Sequence, residues 1–272
     1  NNYFVGRETD SGDIDMMLQY LGQAVFFKHA LGAVTTTTPG GGTLSRQHLC
    51  KEGAIDGKAL TAQVNMPDDT GTARPKTFAG TKIAKWRISQ KENENPVLKL
   101  SLDAMTGTFA TAIATASYPT GQHDYDSTDC VVKLAGSEVA CSQFDIGADN
   151  QLTLDRYYMQ SAAPGTKKEQ LEGAGLRVYD GNLTLAFPDM AAYNRYVNDT
   201  QASLQITWTG AVIEAAIPFS FDITCPAVMW EGKTPVVKGV GLIEVDLAFT
   251  VVDTQSANGP LVVTIVNTDT AP

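Results

Sequence analysis

Apolar residues recur at every second position through much of this chain. Between Ile243 and Val251 the odd positions are Ile243, Val245, Leu247, Phe249 and Val251, and the even ones are Glu244, Asp246, Ala248 and Thr250. A period of two places one set on a core face and the other on the opposite face of a β-strand. The same alternation marks Leu98, Leu100 and Leu102; Leu183, Leu185 and Phe187; Leu204, Ile206 and Trp208; and Leu261, Val263 and Ile265. Ile217, Phe219, Phe221 and Ile223 alternate past Pro218, which predicts an edge or bulged strand. Many such segments separated by turn residues predict a mainly β protein, a sandwich or barrel.

Helical spacing occurs twice. Ile14, Met17, Leu18, Leu21 and Val25 predict a first helix over residues 13–31, with Asp13 capping its first turn and Gly32 stopping it. Met190, Tyr193, Tyr196 and Val197 share a face in a second, short helix from Pro188 to Asp199. Both helices read as accessories that cover open faces or edges. Between the first helix and the strands lies TTTTPGGGT, Thr35 to Thr43, which reads as a flexible arm.

The chain also echoes itself weakly. Ala79–Ser89 followed by Asn95–Leu102, and Ala135–Gly147 followed by Asn150–Tyr158, both read as strand, turn, strand, with Asn before the second strand. The echo suggests two related units, residues 1–120 and 121–272, divided near the polar stretch YPTGQHDYDSTD.

Composition narrows the function. The 272 residues are 43% hydrophobic and 18% charged, as in a folded globular protein, and the net charge is -10. Lys167 and Lys168 form the densest basic spot, beside Glu169. Such a surface suits neither a nucleic-acid backbone nor an anionic membrane. No segment reaches the roughly 18 apolar residues that span a bilayer. The first residues lack the basic, apolar and small-residue order of a secretory signal. Cys50, Cys130, Cys141 and Cys225 form no CxxC pair, and the chain has three histidines, so no zinc spacing is present. The cysteines read as reduced, small apolar fillers in a reducing compartment, although Cys130 and Cys141 could meet across a hairpin.

Candidate catalytic motifs fail on context. AVMWEGKT, Ala227 to Thr234, resembles a loosened phosphate loop, but Met229, Trp230 and Glu231 fill it and Pro235 follows, so it reads as a turn between strands. PGGGT has no flanking strand and helix for a dinucleotide. His48 lies near Ser45 and Cys50, His29 at the end of the first helix and His123 in a polar turn, without a nucleophile elbow. Asp68–Asp69, Asp124/Asp126 and Glu244/Asp246 lack the spacing of a calcium loop and read as solvated acids. The sequons at Asn182 and Asn198 read as accidental. No catalytic residue, cofactor site or metal site is assigned.

The order of segments carries a resemblance. GLRVYDGNLTLAFPDMAAYNRYVN, SLQITWTG, IPFSFDITCPAVMWEGKTPVVKGVGLIEVDLAFTVVD and PLVVTIVN follow one another, after FAGTKIAKWRISQKENENPVLKLSLDAMTG in the first half. This resembles the major tail tube proteins of long, non-contractile phage tails. The resemblance implies a β-sandwich whose strands join those of neighbours in an inner β-barrel. It implies rings stacked into a tube, assembled in the host cytoplasm and carried in the virion tail. DNA and the tape measure protein would pass through the bore without specific binding, between a terminator or connector and the tail tip. It implies no enzyme and no membrane. Ring size stays open: a trimer of duplicated units with pseudo-sixfold symmetry, favoured by the echo, or a hexamer. On this reading Glu244 and Asp246 are candidate lumen or interface acids, facing the channel, the tube exterior or a subunit seam. Alternatives are an extracellular β-sandwich such as an adhesin or pilus-like subunit, a carbohydrate-active enzyme with two catalytic acids, and the tube of a contractile or secretion system.

Overall fold

The computed structural model describes residues 9–110, 112–157, 168, 169, 172, 173, 175–186, 200–232 and 244–272. Their strands form one antiparallel hydrogen-bonded network, and it folds into two facing layers. Layer one runs β1 (Asp10–Met17), β6 (Val97–Ala104), β5 (Pro75–Lys91), β10 (Cys141–Asp149), β11 (Val178–Ala186) and β14 (Glu244–Val251). Layer two runs β9 (Ser137–Glu138), β8 (Cys130–Leu134), β12 (Ala202–Glu214), β13 (Ile217–Gly232), β15 (Val262–Asn267), β3 (Arg46–Glu52) and β2 (Gly32–Thr37). Two further strands, β4 (Leu60–Asn65) and β7 (Thr106–Phe109), flank the first part of β5 and make a projecting arm.

One strand belongs to both layers. β13 pairs with β12 from Ile217 to Val228 and with β15 from Ser220 to Thr224. Its last residues, Val228 to Gly232, pair instead with β14. The bulge expected beside Pro218 is present, as register shifts around Val212 opposite it.

The alternating residues meet between the layers. Trp86, Ile88, Leu98, Leu100, Ile146, Leu183 and Leu247 point inward from layer one, and Leu204, Ile206, Trp208, Phe221, Ile223, Val263 and Ile265 from layer two, all buried. Trp208 ties the two together. Its ring lies 5.7 Å from Phe144 of β10 and 5.7 Å from Phe221 of β13. Its indole N–H donates to Gln90 Oε1 of β5 at 2.8 Å, so the one polar atom of this ring is satisfied inside the core. Helix α1 (Ala24–Leu31) closes one side, with Phe27 5.3 Å from both Trp86 and Phe221.

The first helix is shorter than its spacing predicts. Residues 10–17 form β1, where Asp13 pairs with Ser101 of β6, and the helix begins only after Gln23, with no side-chain cap. Asp10–Met17 carries a second periodicity: Gly12, Ile14 and Met16 alternate with Asp13 and Asp15. Pairing with β6 selects that strand pattern over the helical one, because sheet contacts outweigh local propensity. Gly32 does end the helix, in the left-handed conformation at φ 98°. The helix expected at Pro188–Asp199 lies outside the described residues, as does the sequon at Asn198.

The Thr/Gly-rich arm is also corrected. Thr35, Thr36 and Thr37 belong to β2, as β-branched residues favour, and pair with Leu49, His48 and Gln47 of β3. The remaining turn is gripped from outside by Glu214. That carboxylate accepts from the backbone N–H groups of Thr43, Leu44 and Ser45 at 2.7–3.0 Å, and from the hydroxyls of Thr43 and Ser45 at 3.0 and 2.6 Å. Bonds from the Ser45 side chain and the Thr43 and Ser45 backbone pull its pKa from 4.5 to about 2.

The first half of the sequence echo is a hairpin, β5 with β6. The second is not: β10 pairs with β5 and β11, and residues 150–157 make only isolated bridges, Leu152 with Gly173 and Tyr157 with Lys168. Asn150 is buried there, donating to Ala30 O at 3.0 Å and Ile83 O at 2.8 Å, which ties α1 to β5.

Two outcomes follow. Replacing Trp208 with Ala should cost about 3–5 kcal/mol, read as a lowered denaturant midpoint with unchanged m-value. Replacing Glu214 with Ala should speed amide exchange at Thr43, Leu44 and Ser45 at neutral pH and leave core amides protected. The folded pKa of Glu214 is depressed, so in the unsubstituted protein its stabilisation is full above 4.5 and fades as pH falls toward about 2. Protection of those three amides should fade over that window.

Candidate functional site

The outward face of layer one is a charged lattice, and it contains Glu244 and Asp246. Strand alternation puts Lys85, Arg87, Ser89 and Lys91 of β5 in register with Asp149, Gly147, Asp145 and Gln143 of β10. Across β10 lie Asp180, Asn182 and Thr184 of β11, then Thr250, Ala248 and Asp246 of β14. Glu244 sits opposite Ala186 at the strand's start. Lys99 of β6 and Asp13 and Asp15 of β1 extend the face at one edge, and Glu231 of β13 at the other.

Charge is distributed unevenly over this face. At the β5 and β6 end, three of the four cations among the described residues are locked to acids, Lys91 at the end of β5 being the exception. Lys85 meets Asp149 at 2.8 Å, and Lys99 meets Asp15 at 3.4 Å. Arg87 bridges two strands at once, with both Asp180 oxygens at 2.9 and 3.0 Å and with Asp145. Burial acts to raise the Asp149 pKa, but the Lys85 bond, the Gln151 N–H and the Lys85 charge outweigh it and hold the group below the ordinary range. At the β14 end the acids hold hydroxyls instead. Ser142 donates to Glu244 at 2.9 Å, Thr184 to Asp246 at 2.8 Å and Thr250 to Glu231 at 2.9 Å. A hydroxyl satisfies a lone pair and leaves the negative charge in place.

In the middle of layer two the outward face is milder. Gln205, Thr207 and Thr224 all donate to a single acid, Asp222, at 2.6–2.7 Å.

Both acids named from the sequence are exposed on β14, with Val245, Leu247, Phe249 and Val251 buried between and beyond them. The strand pattern located them. It gave no sign of Glu231, which was read as part of a turn. Ala227–Gly232 instead complete β13, so no phosphate loop forms over those residues. Nor did the pattern show that β10 would bring Asp145 and Asp149 against Arg87 and Lys85.

Among the described residues the sequence's catalytic candidates are not brought together. His48 is buried, with Nδ1 2.9 Å from Thr36 Oγ1 and Nε2 near Asn267 Oδ1 and Asp269 O at 3.1 and 3.0 Å, so its ring nitrogens serve structure rather than Ser45 or Cys50. His29 stands in the last turn of α1, where burial lowers its pKa. The His123 ring packs 5.9 Å from Tyr20. The four cysteines are free thiols, and burial pushes Cys50 and Cys130 up to about 12 and Cys141 to about 11, away from nucleophilic thiolates. Among the described residues no cluster of His, Cys, Asp and Glu is arranged for a metal ion, and no helix is long and apolar enough to cross a membrane. Asn182 lies mid-strand between β10 and β14.

No curated protein matches the chain. A family model described as phage tail tube protein matches residues 4–251. The match covers every described strand except β15, including the charged face between β1 and β14. The chain therefore belongs to the phage tail tube protein family, and it is a structural subunit of a phage tail tube.

Proposed function

We propose that copies of this chain join side by side into rings with the outward face of layer one turned to the bore, and that the rings stack into the tube of a long, non-contractile tail. The observation that carries this reading is the split of charge on that face. A bore for DNA should offer phosphates few ready cations. Here a phosphate would have to strip Asp145 and Asp180 from Arg87, Asp149 from Lys85 or Asp15 from Lys99. Lys91, at the very end of β5, is left as the exposed cation of this face without an acid partner among the described residues. Glu231, Glu244 and Asp246 keep their charge and repel it. Screening sets in at about 8 Å in physiological salt, so the acids act as a non-adhesive lining at close range and not as a motor.

The same reading makes the chain non-enzymatic, built into the virion tail after assembly in the host cytoplasm. DNA and the tape measure protein slide through without specific binding, and terminator or connector and tail tip proteins close the ends. Ring size follows from how many tube units a chain supplies. Each layer is built from strands on both sides of residue 120, a block from one half hydrogen-bonded to a block from the other: β1, β6 and β5 beside β10, β11 and β14, and β2 and β3 beside β15, β13, β12 and β8. This supports one unit per chain and six chains per ring, over three chains of two units divided as 1–120 and 121–272. The mass of a released ring distinguishes the two.

Changing Glu231, Glu244 and Asp246 together to Lys should leave folding and tube assembly intact, since exposed substitutions usually shift stability by about 0.5 kcal/mol or less. DNA release from triggered virions should slow or stall. It should recover partly toward 1 M salt, where screening falls to about 3 Å. Release at the normal rate in physiological salt would contradict the bore assignment.

A further inference from the structure

We infer that successive copies also dock head to tail, the Leu44 tip of one seated in the apolar groove between β1 and β4 of the next. The inference rests on the tube reading above and adds the contact that joins one ring to another.

The tip is a preorganised apolar knob. Leu44 is 63% exposed, yet its backbone N–H is held by Glu214 at 2.9 Å, between the equally held N–H groups of Thr43 and Ser45. A single exposed Leu needs no explanation; one fixed by a carboxylate from another hairpin does. That hairpin, β12 with β13, exposes Val212 to 63% two residues before Glu214. The turn from Thr38 to Ser45 carries no charged residue, and the Glu214 carboxylate is taken up by its amides. Arg46 stands directly behind, donating to Thr43 O and Ser45 O at 3.0 and 2.8 Å.

The groove is the complementary feature. It has a volume of about 200 Å³ and is lined by Ile14, Val64, Met66, Phe78, Leu102 and Ala104. The inward face of layer one runs out there without a cover: Ile14 shares the side of Leu100 and Trp86 but is 39% exposed, and Val64 is 52% exposed. Asp13 borders the groove at the edge of the sheet, on the face of β1 opposite Ile14, and is opposite in charge to Arg46 behind the knob. Asp10, also at the groove, is already paired with Lys76 at 2.5 Å.

The two features lie at opposite ends of the molecule. The groove is at the Asp10 end of β1, whose eight residues span about 26 Å. Beyond its other end the chain reaches Tyr20, whose hydroxyl accepts from Ala211 N–H at 3.2 Å, beside the β12 hairpin tip. The Tyr20 ring packs on Gly210 so closely that a Cβ there would fall 2.2 Å from its oxygen. A knob at one end and a matching groove at the other make a heterologous contact, which propagates along an axis instead of closing. That is the symmetry a stack of rings needs.

The test uses the full chain under conditions in which it forms tubes. Leu44→Asp and Val64→Asp change exposed side chains, and unchanged thermal unfolding checks that each folds. Each variant should stop at single rings in negative-stain images. A chain with both Leu44→Cys and Val64→Cys, oxidised after assembly, should run as a ladder of covalent multimers on non-reducing gels, and the single-cysteine variants should not. Tubes of ordinary length from either Asp variant, or tubes without a ladder from the double-cysteine chain, would overturn the contact. Loss of tubes in Val64→Asp alone would assign the groove to another occupant and overturn the pairing. Failure of the unsubstituted chain to form rings or tubes would overturn the tube reading itself.

Discussion

The structure depends on one strand being shared by two layers. β13 pairs with β12 and β15 in its first part and with β14 in its last, so neither layer can move without the other. This is what allows the charged lattice to be rigid. β14 is held between β11 on one side and the end of β13 on the other, and its inward residues Val245, Leu247 and Phe249 are fixed in a core that Trp208 fills from the opposite layer and Phe27 from α1. The exposed residues between them inherit that order. Glu244 and Asp246 are spaced by the strand repeat, not by any interaction of their own.

The lattice then follows from sheet order. β10 lies between β5 and β11, which places Asp145 and Asp149 next to the basic outward positions of β5 and leaves two strands, β10 and β11, between those positions and the acids of β14. Ion pairs on exposed faces contribute little to stability, typically well under 1 kcal/mol each. Their consequence here is chemical: they occupy Lys85, Arg87 and Lys99, leaving Lys91 at the strand end as the exception. A face can thus contain lysine and arginine and still present a passing polyanion with an acidic surface. The tube family provides a setting in which that property matters.

Much of the fold was legible because alternation is strong where a strand is buried on one face. Leu98–Leu102, Leu204–Trp208 and Ile243–Val251 each matched a strand in the structure for that reason, with the last beginning at Glu244 among the described residues. The failures are equally physical. Asp10–Met17 supports two periodicities, and only the partner strand β6 decides between them. Thr35–Thr37 looked like linker because Pro39 and three glycines follow, whereas their β-branched side chains belong to β2. Ala227–Gly232 read as a turn because Gly232, Lys233 and Thr234 suggested one, yet pairing with β14 extends the strand through Glu231. The site was only half legible for a related reason. Glu244 and Asp246 could be placed on an outward face by local pattern, but Arg87 with Asp145 and Asp180, and Glu214 with the Thr43–Ser45 amides, join residues 58 to 171 positions apart. Only topology brings such pairs together.

The central claim is that the outward face of layer one lines a passage shared by copies of this chain. A helical reconstruction of assembled tubes by electron cryomicroscopy tests it most directly. The account predicts Glu231, Glu244 and Asp246 pointing toward the tube axis, with β1, β6 and β5 beside them around the bore. A tube in which those three acids face bulk solvent on the outside, or are buried between subunits, would contradict it.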